Sequence, residues 1–239
     1  VQSLDRALMI LTAVSSSSGI SLSELAQKTV QSAPTVYRAL TTLQGHGFVE
    51  LEEPGQLWHV GGGAFRVGSA FLRRTKVVER ARQPMDRLMR ATGETANLGV
   101  EHRDQVLFLA QVETHETIRA FFPPGTLGAM HVSGIGKALL AWFSAERVGQ
   151  IAAEQGLTRF TPRSLSDESD LMDDLAATRQ RGFAVDDQER AEGMRCVAAP
   201  IFNAYGEPVA GLSISGPAFR VDLADTSRIG ALVRAAADE

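Results

Sequence analysis

LSELAQKTVQSAPTVYRALTTLQGHGFVE, residues 22–50, decides the fold of the first part of this chain. Ser21 stands just before it, and Glu24 follows three residues later. That pairing is a capping box, so a short helix starts there. TVQSA, residues 29–33, is a turn, and Ser32 occupies the N-cap position of the next helix. Pro34 falls in the first turn of that helix, where its missing N–H does no harm. The helix runs to about Gln44 and stops at GHG, residues 45–47. Two short helices joined by a tight turn make a helix-turn-helix. FVEL (48–51) and LWHV (57–60) are strand-like and flank the turn EEPGQ, which adds a two-stranded wing. Upstream, LDRALMILTAV (4–14) has apolar residues at 4, 7, 8, 11 and 14, a helical spacing, and SSSSG ends it.

At about 100° per residue, Val36, Leu40 and Leu43 of the later helix share one side, with Ala39 beside them. They should face the core. Pro34, Arg38 and Thr41 project away, with Thr35 and Thr42 on the flanks. In a major groove, Arg38 can reach a guanine edge or a phosphate, and Ser32, Thr35 and Thr42 can bond phosphates or bases. The local charge opposes this reading. Residues 1–62 carry three basic and five acidic side chains, whereas phosphate contacts normally supply much of the affinity. Such a domain must rely on helix N-termini, hydroxyls and the avidity of a dimer. Residues 66–90 carry eight basic and two acidic side chains and add a favourable field if they lie near the DNA.

Over its 239 residues the chain is 44% hydrophobic and 22% charged, with a net charge of −4. This is ordinary globular composition and does not by itself suggest a nucleic-acid partner. A single cysteine excludes an internal disulfide and any multi-cysteine zinc site. No apolar run approaches the roughly 20 residues that cross a bilayer. The first residues, VQSLDRALMILTAV, lack the basic leader and cleavage site of a signal peptide. The expectation is a cytoplasmic protein with no membrane partner.

GGGAFRVGSAFLRRT (61–75) has boundary glycines and then a helical pattern, a linker helix. VVERARQPMDRLMRAT (77–92) is a second helix in which Pro84 marks a kink or a break. TANLGVEH, DQVLFLAQVE and HETIRAFF (115–122) read as strands, and PPGTLGAM (123–130) as a loop. GIGKALLAWF, AERVGQIAAEQG and SDLMDDLAATRQRG are helical. GFAVDD, CVAAPIF and PVAGLSIS are strand-like. Strands, then helices, then strands imply an antiparallel sheet with helices packed on it, an α+β domain.

Several residues here suit a ligand. Ser213 and Ser215 are two apart on a strand, so their hydroxyls share a face, opposite Leu212 and Ile214. Buried hydroxyls demand partners, which a small polar molecule would supply. Gly128 and Ala129 leave adjacent backbone N–H groups open, an arrangement that suits a carboxylate. Asp186 ends the GFAVD strand and can accept a bond from a ligand hydroxyl or orient a serine. Cys196 heads another strand. It is a nucleophile, a ligand contact or a small buried hydrophobe.

The chain resembles the isocitrate-lyase-regulator (IclR-type) family of bacterial transcription factors. SLDRALMIL, the helix-turn-helix stretch, GIGKALLA (134–141) and GFAVDDQERAEGMRCVAAPIFNAYGEPVAGLSISGP (182–217) carry the resemblance. It implies a winged helix-turn-helix over 1–62, a linker helix over 63–77 and a GAF-like effector domain over 78–239. It also implies binding to double-stranded operator DNA as a dimer or tetramer, under control of a small metabolite. Segment 182–217 is most similar to sensors of glyoxylate, pyruvate and like 2-oxo-acids. Carried over, their pocket falls on Gly128, Ala129, Asp186, Cys196, Ser213 and Ser215, with Met130 and Met194 as apolar lining.

Other readings fail. HVSGIGKAL lacks the glycine and the Ser/Thr of a P-loop, since His131 and Ala138 stand there. The five histidines show no metal-ligand spacing, so neither a metal nor a cofactor is expected. The rival function is a cysteine-dependent enzyme acting on a small oxo-acid through Cys196. No histidine lies close to it in sequence, and a regulator without catalysis is the expectation.

Overall fold

The computed structural model describes all residues, Val1–Glu239. Two units emerge, Val1–Thr75 and Lys76–Glu239. The first opens with α1 (Gln2–Ser15), α2 (Leu22–Thr29) and α3 (Ala33–Gly45). The capping box forms. Ser21 N–H donates to Glu24 Oε2 at 2.9 Å, and Glu24 N–H donates to Ser21 Oγ at 3.3 Å. Ser32 is at the N-cap of α3, but its hydroxyl bonds Thr35 Oγ1 at 2.9 Å instead of a backbone N–H. Strands β1 (Val49–Glu52) and β2 (Leu57–Val60) pair antiparallel as the wing, and α4 (Gly62–Arg74) follows. Val36 and Leu40 enter the core with Leu25, Val49 and Trp58, and Leu43 packs at its edge.

The buried stripe of α1 differs from the spacing read above. Ile10, Ala13 and Val14 are buried, while Leu4 and Leu8 are exposed. This helix is apolar on more than one side, and contacts with α2 and α3 choose the inward face.

The second unit begins with α5 (Val77–Thr92), which runs through Pro84 as one helix. Strands β3 (Thr95–His102), β4 (Gln105–Val112) and β5 (Leu127–Ala129) follow, then a 3-10 turn at Met130–Val132. Next come α6 (Gly134–Leu140), α7 (Ala145–Gln155) and α8 (Glu168–Arg181). Strands β6 (Ala184–Asp187), β7 (Met194–Phe202) and β8 (Pro208–Pro217) and helix α9 (Thr226–Ala237) complete it. The sheet order is β5-β4-β3-β8-β7-β6, antiparallel throughout. The fold is α+β.

Segment 115–122 is not a strand. The sheet edge is formed by Leu127–Ala129, inside the stretch read as a loop, where Gln105, Val106 and Leu107 of β4 pair with Ala129, Gly128 and Leu127. HETIRAFF has strand-like residues but no ladder to join, and the two prolines that follow supply no backbone donor.

Glycine lets α6 lie close on the sheet. A Cβ at Gly211 would stand 2.6 Å from Ile135 Cγ2, and one at Gly134 would stand 2.6 Å from Cys196 Sγ. Residues 211, 213 and 215 of β8 therefore face α6, while Leu212 and Ile214 point to the opposite face, where α5 and α9 pack.

Candidate functional site

Two surfaces draw the candidate residues together, one in each unit. On α3, Ser32, Pro34, Arg38, Thr41 and Thr42 are exposed, and Thr35 is half-buried. Thr41 and Thr42 donate to the carbonyls of Tyr37 and Arg38 at 2.9 Å. That fixes both rotamers and leaves the oxygens free to accept. Tyr37 also lies exposed on this helix. The sequence reading passed over it because an aromatic beside Val36 looks like core. Val30, in the turn before α3, has φ 53° and is 92% exposed. A β-branched residue rarely takes that conformation.

In the second unit, strand register builds a polar row. Asp186 on β6 pairs with Cys196 on β7, which pairs with Ser215 on β8, and Ala198 pairs with Ser213. All these residues except Ala198 line one cavity of about 200 Å³, on the α6 side of the sheet. Gly128, Ala129 and Met194 line it too. β5 is the sheet edge, so one side of it has no strand partner. Seven of the eight candidate ligand residues thus meet. Met130 does not. It starts the 3-10 turn, and its side chain is buried in the core with Ile135 and Leu139, against a separate cavity of about 170 Å³ that also contains His131.

The polar groups are unequally satisfied. Ser215 Oγ accepts from Asn97 Nδ2 at 3.3 Å, and Asn97 Oδ1 accepts from Gln111 at 2.9 Å. Ser213 is 1% exposed, and its hydroxyl has no hydrogen-bond partner, although it lies near the Cys196 sulfur. Burial above all, with the charge of Asp186 second, pushes the Cys196 thiol up to about 11. It is a protonated thiol at neutral pH, which opposes a nucleophilic role. Burial pushes Asp186 up to about 6, against the pull of Lys137.

The rest of the wall was missed in the sequence. Phe108 and Phe122 stack with centroids 4.8 Å apart, and Arg119 and Phe121 come from the same irregular segment after β4 as Phe122. Phe108 faces the cavity by the same strand alternation that buries Val106, but Phe122 and Arg119 arrive by a path no periodicity describes. Arg195 also lines the cavity, but its guanidinium is spent on Asp187 and the carbonyls of Ala218 and Val221.

Comparison with known proteins agrees with this architecture. The family model described as IclR helix-turn-helix domain matches residues 3–53, and that described as bacterial transcriptional regulator IclR C-terminal matches 69–239. The HTH-type transcriptional regulator BhcR of Paracoccus denitrificans is 52% identical over 239 residues, covering all of this chain and 86% of that protein. The transcriptional repressor IclR of Escherichia coli is 39% identical over 244 residues, covering all of this chain and 88% of that one. The crystal structure of the Thermotoga maritima IclR matches with a TM-score of 0.80 at 27% identity, over 99% of this chain and 96% of that one. No helix is long and apolar enough to cross a membrane. With both family models satisfied in order along one winged helix-turn-helix and one α+β unit, the chain belongs to the IclR family of bacterial transcriptional regulators.

Proposed function

We propose that this regulator binds operator DNA through α3 and its wing and is controlled by a small 2-oxo-acid anion, such as glyoxylate or pyruvate, held in the 200 Å³ cavity. Ser32, Pro34, Thr35, Arg38, Thr41 and Thr42 form the DNA face. Gly128, Ala129, Asp186, Met194, Cys196, Ser213 and Ser215 form the effector site. The working division is residues 1–62 for DNA, 63–77 as linker and 78–239 for the effector. The protein acts as a homodimer or homotetramer, because the acidic DNA-binding domain needs the avidity of a second copy.

One observation carries the effector reading. A buried serine hydroxyl whose one polar neighbour is the weakly bonding Cys196 sulfur lines a cavity whose floor also holds a second hydroxyl and a carboxyl. Leaving such a group unpaired costs about 1–3 kcal/mol, and a bound polar ligand removes that cost. The volume lies below the range of about 300–1,000 Å³ for drug-sized ligands. It suits a small acid with accompanying water. The ligand regulates by preferring one arrangement of the protein, and DNA must alter ligand affinity by the same factor.

Calorimetry against glyoxylate, pyruvate and longer carboxylic acids tests the site. Ser215→Ala and Cys196→Ala should weaken binding of the small oxo-acids while a gel shift on the gene's own upstream DNA is retained. Unchanged affinity in both variants would remove the cavity assignment.

A further inference from the structure

Behind the cavity floor lies a buried charge cluster that the proposed contacts leave unused. Lys137, on α6, is 0% exposed. Its Nζ donates to the Val185 carbonyl and to Glu189 Oε1, both at 2.6 Å, and pairs with Asp174 Oδ2 at 3.0 Å. Glu189 in turn donates its backbone N–H to Asp186 Oδ1 at 2.8 Å. Lys137 therefore anchors the loop that holds the cavity's own carboxyl. Three carboxyls share this one lysine. Asp174 reaches solvent and meets Arg181 at 3.5 Å, but Asp186 and Glu189 are buried, and Glu189 Oε2 has no partner.

Most of the other charges around Asp186 are already paired. Asp187, its neighbour on β6, pairs with Arg195 and Arg163. Arg190, in the following loop, lines the cavity, donates its backbone N–H to Asp186 and stacks its guanidinium over Phe160 at 4.0 Å. Arg119, on another wall of the cavity, pairs with Glu113 at 2.8 Å. Cys196, facing from β7, is a neutral thiol, and His131, beyond Lys137, is held below the usual histidine range by burial. A second negative charge brought beside Asp186 in so small a buried space favours its protonated form.

We propose that a carboxylate effector enters together with one proton from solvent, held by Asp186, which then donates a hydrogen bond to the bound acid, and that Lys137 and Glu189 are the positioning residues for that carboxyl. This rests on the effector reading above and adds the charge state in which the effector is recognised. Burial already pushes Asp186 up to about 6, and the charge of the bound acid must carry it past about 9 for the proton to be held at pH 8. Glu189 is pushed up further, to about 7, but it bonds Lys137 and does not line the cavity, so it cannot donate to the acid. The proton returns to solvent when the acid leaves.

Calorimetry of the full chain with glyoxylate at pH 8, in buffers of different ionisation enthalpy, counts the protons directly. The acid itself stays ionised throughout. The expected result is close to one proton taken up per ligand, with affinity falling about tenfold per pH unit between pH 7.5 and 8.5. Asp186→Asn supplies a neutral donor at the same place, so it should bind glyoxylate with no uptake and a flat pH profile. Glu189→Gln keeps the backbone N–H and should retain the uptake. Binding without uptake in the wild type, or uptake that survives Asp186→Asn and vanishes in Glu189→Gln, overturns the proposal and leaves the effector site standing. No binding of glyoxylate or pyruvate at any pH removes the effector reading and this inference together.

Discussion

Substituting Gly134 by alanine probes whether α6 presses on the cavity floor. The new methyl would stand 2.6 Å from Cys196 Sγ, 3.2 Å from Ala198 Cβ and 3.4 Å from Cys196 Cβ. Ordinary carbon contacts lie at about 3.5–4.0 Å, so helix and sheet must part by roughly 1 Å at the sulfur. Every residue of α6 is buried, which leaves the helix little room to retreat. Overpacking of this kind costs about 1–3 kcal/mol. Helix propensity works the other way, by up to about 1 kcal/mol for glycine to alanine. The expected net is a loss, read as a fall in Tm of about 2–4 °C per kcal/mol for a unit of this size. Cys196→Ala should relieve the clash, because the nearest remaining atom is then Ala198 Cβ. In the double variant the two costs should fall short of their sum by at least about 1 kcal/mol. Urea unfolding of the four chains measures this. Gly68, on α4, has nothing within 4 Å of its would-be Cβ, so Gly68→Ala should stabilise through propensity alone. A Gly134→Ala chain as stable as the wild type, or a double variant with simply additive costs, would show that α6 does not bear on the thiol.

Three further outcomes follow from other parts of the molecule. Arg38→Ala should weaken binding to the gene's own operator about tenfold or more and lower its salt dependence in a gel-shift titration, and intact binding would remove α3 as the reading helix. Val30→Gly should raise stability, by up to about 1 kcal/mol, because glycine relieves the left-handed backbone and the exposed side chain forfeits no packing; a fall in the urea midpoint would mean that the side chain supports the turn. Arg220 binds the buried Glu94 through two nitrogens and reaches the Ile118 carbonyl at 2.7 Å. Arg220→Met should therefore cost about 1–3 kcal/mol, through a carboxylate left without its partner, and an unchanged midpoint would make that pair dispensable.

The signals that were legible in the sequence are local. A capping box spans four residues, and its partners could be named before any fold was known. The shared face of Ser213 and Ser215 needs only the two-residue repeat of a strand. Elements that depend on a distant partner were less readable. Leu127–Ala129 becomes a strand because β4 offers it a ladder, whereas HETIRAFF, with better strand residues, is offered none. On α1 the periodic reading is right at Val14 and Leu11 but places Leu4 and Leu8 inward, where the structure instead buries Ile10 and Ala13.

Charge was the least readable property, because electrostatics depends on neighbours that sequence distance hides. Lys137 reads from the sequence only as part of the opening turn of a helix, yet it is the most deeply buried cation of the chain, paired with Glu189 52 residues away. Nothing near position 137 signals that partner. The consequence reaches the site itself. Read alone, Asp186 is a carboxylate that accepts from a ligand hydroxyl. Placed beside Glu189, near a lysine already bonded to two other carboxyls, the same side chain is pushed up by burial and is the member of the cluster that faces the cavity. The strand residues that line the cavity can be found from strand parity and register. The charges that set their protonation lie in the layer beneath, and that layer is assembled from α6, α8 and the β6–β7 loop only when the chain folds.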